Sequence, residues 1–421
     1  MHSVELEHPT SAAFAPWQPQ SEPNTPNKSS KILGVRSFYS CYYGCAQSFI
    51  LPYLPLFFNA AGITGSRMSL IIMMTPLANV VTLPLGFVAD RHKAIRLLMT
   101  LCSTFACLFM ASLLFMSSYT TMILVYAGYA IFNAPLISLA DSLAVSEAIE
   151  KKTTYSALRI YGSISFTIIS LIFGQVLDRL NSPDLIVIGA SSGFFLAIFA
   201  AFLQRPSYSD SLEIPRISDA FKLISNKIIL FFLVAGALHW ASLGSYMAFL
   251  SVHLENIGQP VTISSYCWAV AVSAEILVML LFKKLKQRVS DSKDAWTWLI
   301  FFSIIVGSVR WFITARFAHI AVLVVGAQSI HGFTFGLFHC SAAEFLENVV
   351  PGKLRSTGRA LYTSVVMGVG GVLGIYISGK FWDIGQGRAA FESSAVLELV
   401  APFFIVIMWL FQRKNTIVVE V

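Results

Sequence analysis

The sequence predicts an all-α membrane protein whose helices are divided into two halves of six. Of its 421 residues, 56% are hydrophobic and only 12% are charged, and the mean hydropathy is +0.70. A soluble chain of this length needs far more charge to cover its surface. Apolar runs of about 20 residues recur along the chain, and each is long enough to span a bilayer as a helix. A single polar stretch interrupts this series near the middle.

The first six predicted spans precede that polar stretch. They cover residues 33–58, 66–89, 95–116, 119–146, 154–178 and 183–204. Residues 1–32 are polar and rich in Pro, Ser, Glu and Asn, which is typical of a disordered tail. The first half of the membrane domain is therefore predicted over residues 33–204.

The second six predicted spans follow a linker at residues 205–227, which contains Pro206, Pro215 and several Ser and Asp residues. They cover residues 228–256, 262–283, 294–314, 318–346, 357–381 and 391–412, and a short tail follows at 413–421. Two sets of six spans around a linker are typical of a transporter built from two parallel repeats. The fourth and tenth spans then occupy equivalent places.

The positions of Lys and Arg predict the orientation of the chain. Placing the N-terminus in the cytoplasm puts most of the 29 bases on the inner side. It leaves on the outer side only Arg67, Arg179, Arg316, Lys380 and Arg388. We therefore expect a multi-pass protein of a bacterial inner membrane with both termini in the cytoplasm.

An acid and a base inside consecutive apolar runs mark the first candidate site. Asp141 lies in the fourth predicted span and Arg159 in the fifth, each about two turns from the connector at residues 147–152. A charge at that depth in hydrocarbon costs at least about 2.5–3.5 kcal/mol, so it should face a partner or a wet cavity. We expect the two side chains to pair and to form one wall of a substrate site.

Three more ionisable residues fall in apolar runs of the second half: Glu275, Arg310 and His331. Burial and the presence of a nearby cation act in opposite directions on the charge of a carboxyl group. Such a group can change its protonation when its partners move, as proton-coupled transport requires. A purely structural role, in which these side chains lock helices together, is the alternative.

The first inner loop carries Gly86, Asp90 and Arg91 followed by further bases, with Lys93 in place of a second glycine. This loop resembles the conformational loop motif of the major facilitator superfamily. The resemblance continues through residues 159–164, 268–275 and 331–339, and covers nearly all of the chain after residue 33. It is closest to the phenylpropionate permease family, within the lactose permease-like branch.

The resemblance implies roles for individual residues. Asp141 and Arg159 match the sugar-binding acid–arginine pair of lactose permease, and Glu275 matches its second substrate-binding acid. Arg310 and His331 match the arginine and histidine that couple transport to the proton. Thr334 stands where lactose permease has its proton-carrying carboxylate. We therefore expect Glu275 to carry the proton here, with Asp141 as the second candidate.

Together these observations predict a proton symporter that works by alternating access, as a monomer, with its site between the halves. An aromatic carboxylate such as a phenylpropionate-like acid suits the two buried arginines, Arg159 and Arg310, and aromatic side chains such as Tyr161, Trp268 and Trp311. A sugar or nucleoside is the alternative substrate.

Two other classes of protein are weighed against a transporter. A non-transporting receptor or sensor would be favoured by an appended signalling domain. A membrane enzyme would need clustered catalytic side chains, and His239 and His253 show no partner at ligand spacing in the sequence. We expect no catalytic residue, metal, cofactor or nucleic-acid partner, and as partners only the solute, the proton and the lipid bilayer.

The orientation can be tested by chemical labelling. Single cysteines introduced into the loops at residues 90–96 and 283–293 should react with membrane-impermeant reagents only from the cytoplasmic side, because the bases place these loops there. Labelling of either loop from the outside of intact cells would show that the orientation is the reverse of the predicted one.

Overall fold

The structure is a computed structural model, and it describes residues 34–82, 85, 94–204, 217–289, 294–351 and 354–419. Throughout these residues every regular element is a helix. The described part of the chain is therefore all-α, as the sequence predicts.

Helices of the first half follow the predicted runs. They are α1 (Val35–Tyr39), a π-helical stretch (Ser40–Gln47), α2 (Ser48–Ala60), α3 (Gly65–Ile72), α4 (Met74–Ala78), a 3₁₀ turn (Asn79–Val81), α5 (Ile95–Ser112), a 3₁₀ turn (Leu113–Phe115), α6 (Tyr119–Glu150), α7 (Tyr155–Leu180) and α8 (Asp184–Phe202). Local chemistry sets the ends of α7. The Thr154 hydroxyl accepts a bond from the backbone N–H of Ala157 at its start, and Asn181 ends it in the left-handed conformation, with φ 45°.

Helices of the second half are more often interrupted. They are α9 (Ile217–Ser225), α10 (Lys227–Ser242), α11 (Gly244–Asn256), α12 (Val261–Val289), α13 (Ala295–Phe317), α14 (Ala321–Ala327), a 3₁₀ turn (Gln328–Ile330), a π-helical stretch (Gly332–Leu337), α15 (Phe338–Val349), α16 (Arg355–Tyr362), a π-helical stretch (Thr363–Val369) and α17 (Gly370–Val419). The backbone of α17 leaves helical geometry at Gly385 and Gln386, which divides this long element by a kink.

In the described part of the chain, nine helical stretches are long and apolar enough to cross a membrane. The last of them, Thr357–Lys414, has 58 residues and contains both the eleventh and the twelfth predicted spans. The first two predicted spans are not among the nine. A π-helical stretch divides the first, and the second runs into residues 86–93, outside the described part. The count of twelve spans stays a prediction.

Close backbone contacts at glycines bring the site-bearing helices together. A Cβ on Gly193 in α8 would lie 1.5 Å from the carbonyl oxygen of Cys45, in the first π-helical stretch. A Cβ on Gly374 in α17 would lie 2.1 Å from the carbonyl oxygen of Ala241 in α10. Only glycine allows backbones to approach this closely. The second contact holds the first part of α17 against α10.

Two aspartates join the halves at one end of the bundle, the end away from the base-rich loops. Asp178, near the end of α7, accepts bonds from the backbone N–H groups of Val261 (2.5 Å) and Thr262 (2.9 Å) at the start of α12. Asp383, just before the kink of α17, accepts from the backbone N–H of Ser66 (3.1 Å) at the start of α3. A carboxylate is stabilised at a helix N-terminus by the unpaired N–H groups and the helix dipole.

Some predictions fall outside the described residues. They include the loop motif of Gly86, Asp90 and Arg91, the tail at 1–32, residues 205–216 of the linker and the last two residues of the C-terminal tail. The rest of the predicted linker contains helix α9. The proposed boundaries of the two halves, at 33–204 and 228–412, stay predictions.

Candidate functional site

Arg159 in α7 is the centre of a polar group in the first half. Its Nη1 lies 3.6 Å from Oδ2 of Asp141 in α6 and donates a 2.6 Å hydrogen bond to the Tyr155 hydroxyl. Its Nη2 donates to the Tyr43 hydroxyl at 3.2 Å. The guanidinium carbon also lies 5.9 Å and 5.8 Å from the ring centroids of Tyr43 and Tyr155, within range of cation–π attraction. The structure thus brings together the acid and the base that the sequence singles out.

Asp141 is held in place by a second tyrosine. The fully buried Tyr39 donates a 2.6 Å hydrogen bond to Oδ1 of Asp141. Tyr39 and Tyr43 are four residues apart, on one face of the first membrane helix, and their rings stack at 6.3 Å. One helix therefore orients both members of the pair. The side chains of Asp141 and Arg159 are nevertheless 30% and 42% exposed, so both face open space within the bundle.

In the second half, Arg310 of α13 is completely buried and has no carboxylate bonded to it among the described residues. Its Nε donates to Oε1 of Gln328, and its Nη1 lies 2.9 Å from Nδ1 of His331. The guanidinium carbon lies 4.5 Å from the ring centroid of Tyr246 and 4.1 Å from that of Trp311. Stacking on aromatic rings is a favourable environment for a desolvated arginine.

The bond from Arg310 fixes the tautomer of His331. A guanidinium only donates, so Nδ1 of His331 must accept, and the imidazole proton lies on Nε2. That nitrogen faces Oε2 of Glu275 in α12, at 4.0 Å. Glu275 is 23% exposed, and it lies close enough to Arg159 for their two charges to interact. The three ionisable residues predicted in the second half therefore lie together, opposite the Arg159 group.

The two aromatic residues expected at the site are placed differently. Trp268 is buried, with its ring centroid 4.5 Å from that of Tyr246 and 5.9 Å from that of Phe166, so it packs behind the site. Tyr161 lies two residues after Arg159, which is roughly 200° around the helix. Its half-exposed ring contacts Arg36 instead. The structure does not bring Tyr161 to the Arg159 group.

Several polar residues at these positions were missed in the sequence. The position of Tyr155 beside Arg159 can be predicted, because it precedes Arg159 by four residues and so lies on the same face of the helix. For His239, the spacing of residues in the sequence shows no partner. In the structure its Nδ1 lies 2.9 Å from Oε2 of Glu398, a fully buried carboxyl in the last apolar run. The signal in the sequence is that Glu398 lies well inside that run, whereas Glu392 lies at its start.

Membrane-spanning helices that enclose opposed charged groups define a polytopic transporter with the major facilitator fold. The chain belongs to the MFS_1 like family, which it matches over residues 32–393. It is 24% identical over 383 residues to the probable 3-phenylpropionic acid transporter of Escherichia coli (strain K12), covering 88% of this chain and 95% of that protein. It is 23% identical over 394 residues to the uncharacterized transporter YwbF of Bacillus subtilis (strain 168), covering 91% and 96%.

Solved structures agree with this fold. The crystal structure of the nucleoside transporter NupG superposes with a TM-score of 0.77 at 19% identity, covering 89% of this chain and 98% of that one. The predicted fold class and the resemblance to the major facilitator superfamily are confirmed. The protein is a multi-pass membrane transporter of a small molecule, and its relatives are transporters, not enzymes.

Stability measurements can separate a binding role of Asp141 and Arg159 from a structural one. Because both side chains are partly exposed and an amide still accepts from Tyr39, Asp141→Asn, Arg159→Ala and the double variant should each lower the free energy of unfolding by no more than about 1 kcal/mol. Gln328→Ala is the comparison, since it removes an acceptor from the buried Arg310 and should cost about 1.5–3 kcal/mol. Thermal unfolding of the purified variants measures both.

A structural lock gives a different pattern. Each single variant would then strand a buried charge and cost about 3–5 kcal/mol, and the double variant would recover much of that loss. That pattern would remove the pair from the substrate site.

Proposed function

We propose that this protein is a proton symporter that moves a small aromatic carboxylate by alternating access. The substrate lies between Arg159 and Glu275, near the middle of the bundle. The observation that carries the proposal is a partly exposed guanidinium, deep in an apolar bundle and flanked by the Tyr43 and Tyr155 rings. The protein acts as a monomer in a bacterial inner membrane, with both termini in the cytoplasm.

Geometry at Arg159 favours an anionic ligand. Its contact with Asp141 is 3.6 Å, longer than a good charge-assisted hydrogen bond. A guanidinium has five N–H donors. In Arg159 two of them are used, because Nη1 donates to the Tyr155 hydroxyl and Nη2 to the Tyr43 hydroxyl. The remaining donors can bind a carboxylate, while the rings of Tyr43 and Tyr155 pack against an aromatic substrate.

Proton coupling follows from the charge of such a substrate. Entry of an anion against an interior-negative potential costs about 2.3 kcal/mol per 100 mV, which an accompanying proton offsets. A substrate carboxylate that pairs with Arg159 neutralises the guanidinium, and Glu275 then loses a nearby positive charge. A proton on Glu275 removes the repulsion between the two carboxylates. Binding of the substrate and of the proton thereby favour each other.

Contacts between the halves support an inward-facing state. Besides the bonds of Asp178 and Asp383, the Tyr53 and Ser265 hydroxyls are 2.6 Å apart, and Asn59 donates to Glu255 at 3.1 Å. Each of these contacts joins a helix of the first half to one of the second. The distribution of bases assigns this end of the bundle to the outside.

A sugar or nucleoside symporter is the second candidate function. Both Asp141 and Glu275 are partly exposed carboxylates, and carboxylates accept hydrogen bonds from hydroxyl groups. Relatives of the chain include the maltose permease of Geobacillus stearothermophilus and the nucleoside permease NupG of Escherichia coli (strain K12).

Uptake into energised membrane vesicles tests the substrate class. Labelled 3-phenylpropionate should accumulate, and this accumulation should be lost when a protonophore is added. Uridine and maltose should not accumulate. Arg159→Lys should weaken 3-phenylpropionate binding about tenfold or more, since a point charge does not replace the planar fork and such a bond contributes about 1.5–3 kcal/mol. Arg316→Lys, at an exposed ion pair with Glu392, is the matched control and should bind normally. Accumulation of uridine or maltose instead would favour the second candidate.

The role of Glu275 is tested by Glu275→Gln. The amide keeps the shape and hydrogen bonding of the side chain but has no titratable proton, so gradient-driven accumulation should be lost while exchange of 3-phenylpropionate continues. Counterflow and accumulation are measured on the same vesicles. If the variant accumulates substrate to the wild-type level, Glu275 does not carry the proton, and Asp141→Asn is the next variant to measure.

A further inference from the structure

A second ionisable pair lies apart from the substrate site, between α10 and α17. His239 and Glu398 are both completely buried, with Nδ1 of the imidazole 2.9 Å from Oε2 of the carboxyl. The other imidazole nitrogen, Nε2, lies 2.7 Å from the carbonyl oxygen of Thr334. The other carboxyl oxygen accepts a 2.8 Å bond from the Ser242 hydroxyl. Every polar atom of the two side chains is therefore engaged.

With the Ser242 hydroxyl, which also lies 2.7 Å from the His239 carbonyl oxygen, taken as a donor to Glu398, these contacts indicate how many protons the pair holds. A carbonyl oxygen only accepts, so Nε2 of His239 carries a hydrogen. Nδ1 and Oε2 would repel each other if both presented lone pairs at 2.9 Å, so a proton lies between them. The pair is either a neutral imidazole with a carboxylic acid or an imidazolium with a carboxylate. Both forms contain the same single exchangeable proton and have no net charge.

Loss of that proton would leave a net negative charge in a buried site. Two other ionisable groups face the pair, Arg310 and His331, and both interact with it electrostatically. Nη2 of Arg310 has no hydrogen-bond partner among the described residues. Trp311, the next residue, donates its indole N–H to Ser242, which in turn donates to Glu398. Arg310 therefore offers a positive charge and an unused N–H donor that would stabilise Glu398 after its carboxyl loses the proton.

The pair is also connected to the interior of the bundle through the π-helical stretch at Gly332–Leu337. Thr334, which accepts the bond from His239, precedes Phe335. The Phe335 ring stacks between His331 (5.2 Å) and His339 (6.0 Å) and contacts Trp240 (5.6 Å), the residue after His239. Movement of Phe335 would displace the Thr334 carbonyl and break the bond that orients the imidazole.

We propose that His239 and Glu398 form a proton-binding site of the transport cycle, distinct from Glu275. The site holds one proton in the state described here. When the Thr334 carbonyl moves, the N–H–O contact opens and the proton leaves as H⁺, so that Glu398 becomes a carboxylate beside Arg310 and His239 a neutral imidazole. The inference rests on the proposed proton coupling, but the titration of the pair can be measured without any substrate.

Glu398→Gln is the informative variant because it preserves every contact. Its amide nitrogen donates to Nδ1 of His239, and its amide oxygen still accepts from Ser242, but the shared proton is gone. We therefore expect the variant to fold and to unfold near the wild-type temperature. His239→Gln is the second variant, since an amide can still donate to the Thr334 carbonyl. Glu392→Gln, on the same helix in an exposed ion pair, is the matched control.

The first measurement is infrared difference spectroscopy of the purified full chain in lipid nanodiscs, recorded over the pH range in which the protein stays folded. The wild type and Glu392→Gln should show a coupled carboxyl and imidazole titration that is missing from both Glu398→Gln and His239→Gln. If the spectra of all four proteins change alike, the pair does not exchange its proton and is a structural contact, which overturns the proposal.

The second measurement is transport of 3-phenylpropionate. Glu398→Gln should lose gradient-driven accumulation, keep exchange, and bind the probe as tightly as the wild type, because Glu398 does not line the substrate site. Wild-type accumulation in this variant overturns the proposal. If the wild type itself does not transport the probe, the proposed substrate is wrong, and the spectroscopic measurement still decides whether the pair binds a proton.

Discussion

The cost of a charge in hydrocarbon is the constraint on which this structure depends. The ionisable side chains described near the middle of the helices meet that cost in different ways. Asp141 and Arg159 share tyrosine hydroxyls and open space. Arg310 lies between aromatic rings and bonds to a neutral amide and a neutral imidazole. Glu398 bonds to the His239 imidazole and the Ser242 hydroxyl. Each arrangement faces inward, and together they set which helix faces form the interior of the bundle.

The two halves divide the chemistry unequally. The first contributes an exposed cation with rings around it, which suits recognition of a solute. The second contributes imidazoles and carboxyls in drier surroundings, where one proton changes the net charge of a closed site. Glu275 lies between these environments, since its carboxyl faces both His331 and Arg159. This position places a single carboxyl next to charged or polar groups of both halves.

The sequence predicts those features that depend on depth along a helix. Asp141 and Arg159 meet because both lie about two turns from one short connector, and a buried charge needs a partner. Rotation about the helix axis matters as well. Tyr161 is expected at the substrate site, but its two-residue spacing turns it roughly 200° from Arg159, and its ring contacts Arg36. His239 and Glu398 are 159 residues apart, and they meet only through the packing of helices distant in the sequence. No periodicity in the sequence carries that information.

Within the residues that the structure describes, three π-helical stretches occur, at Ser40–Gln47, Gly332–Leu337 and Thr363–Val369. A π turn contains one residue more than an α turn, so it stores a local offset in the helix register. When the offset passes along a helix by one turn, the side chains it crosses rotate by roughly 100° while the backbone keeps its hydrogen bonds. Tyr43 and Thr334 lie within two of these stretches. A tyrosine that contacts Arg159 and a residue that orients the buried imidazole are thus placed where a helix can twist without breaking or sliding through the membrane.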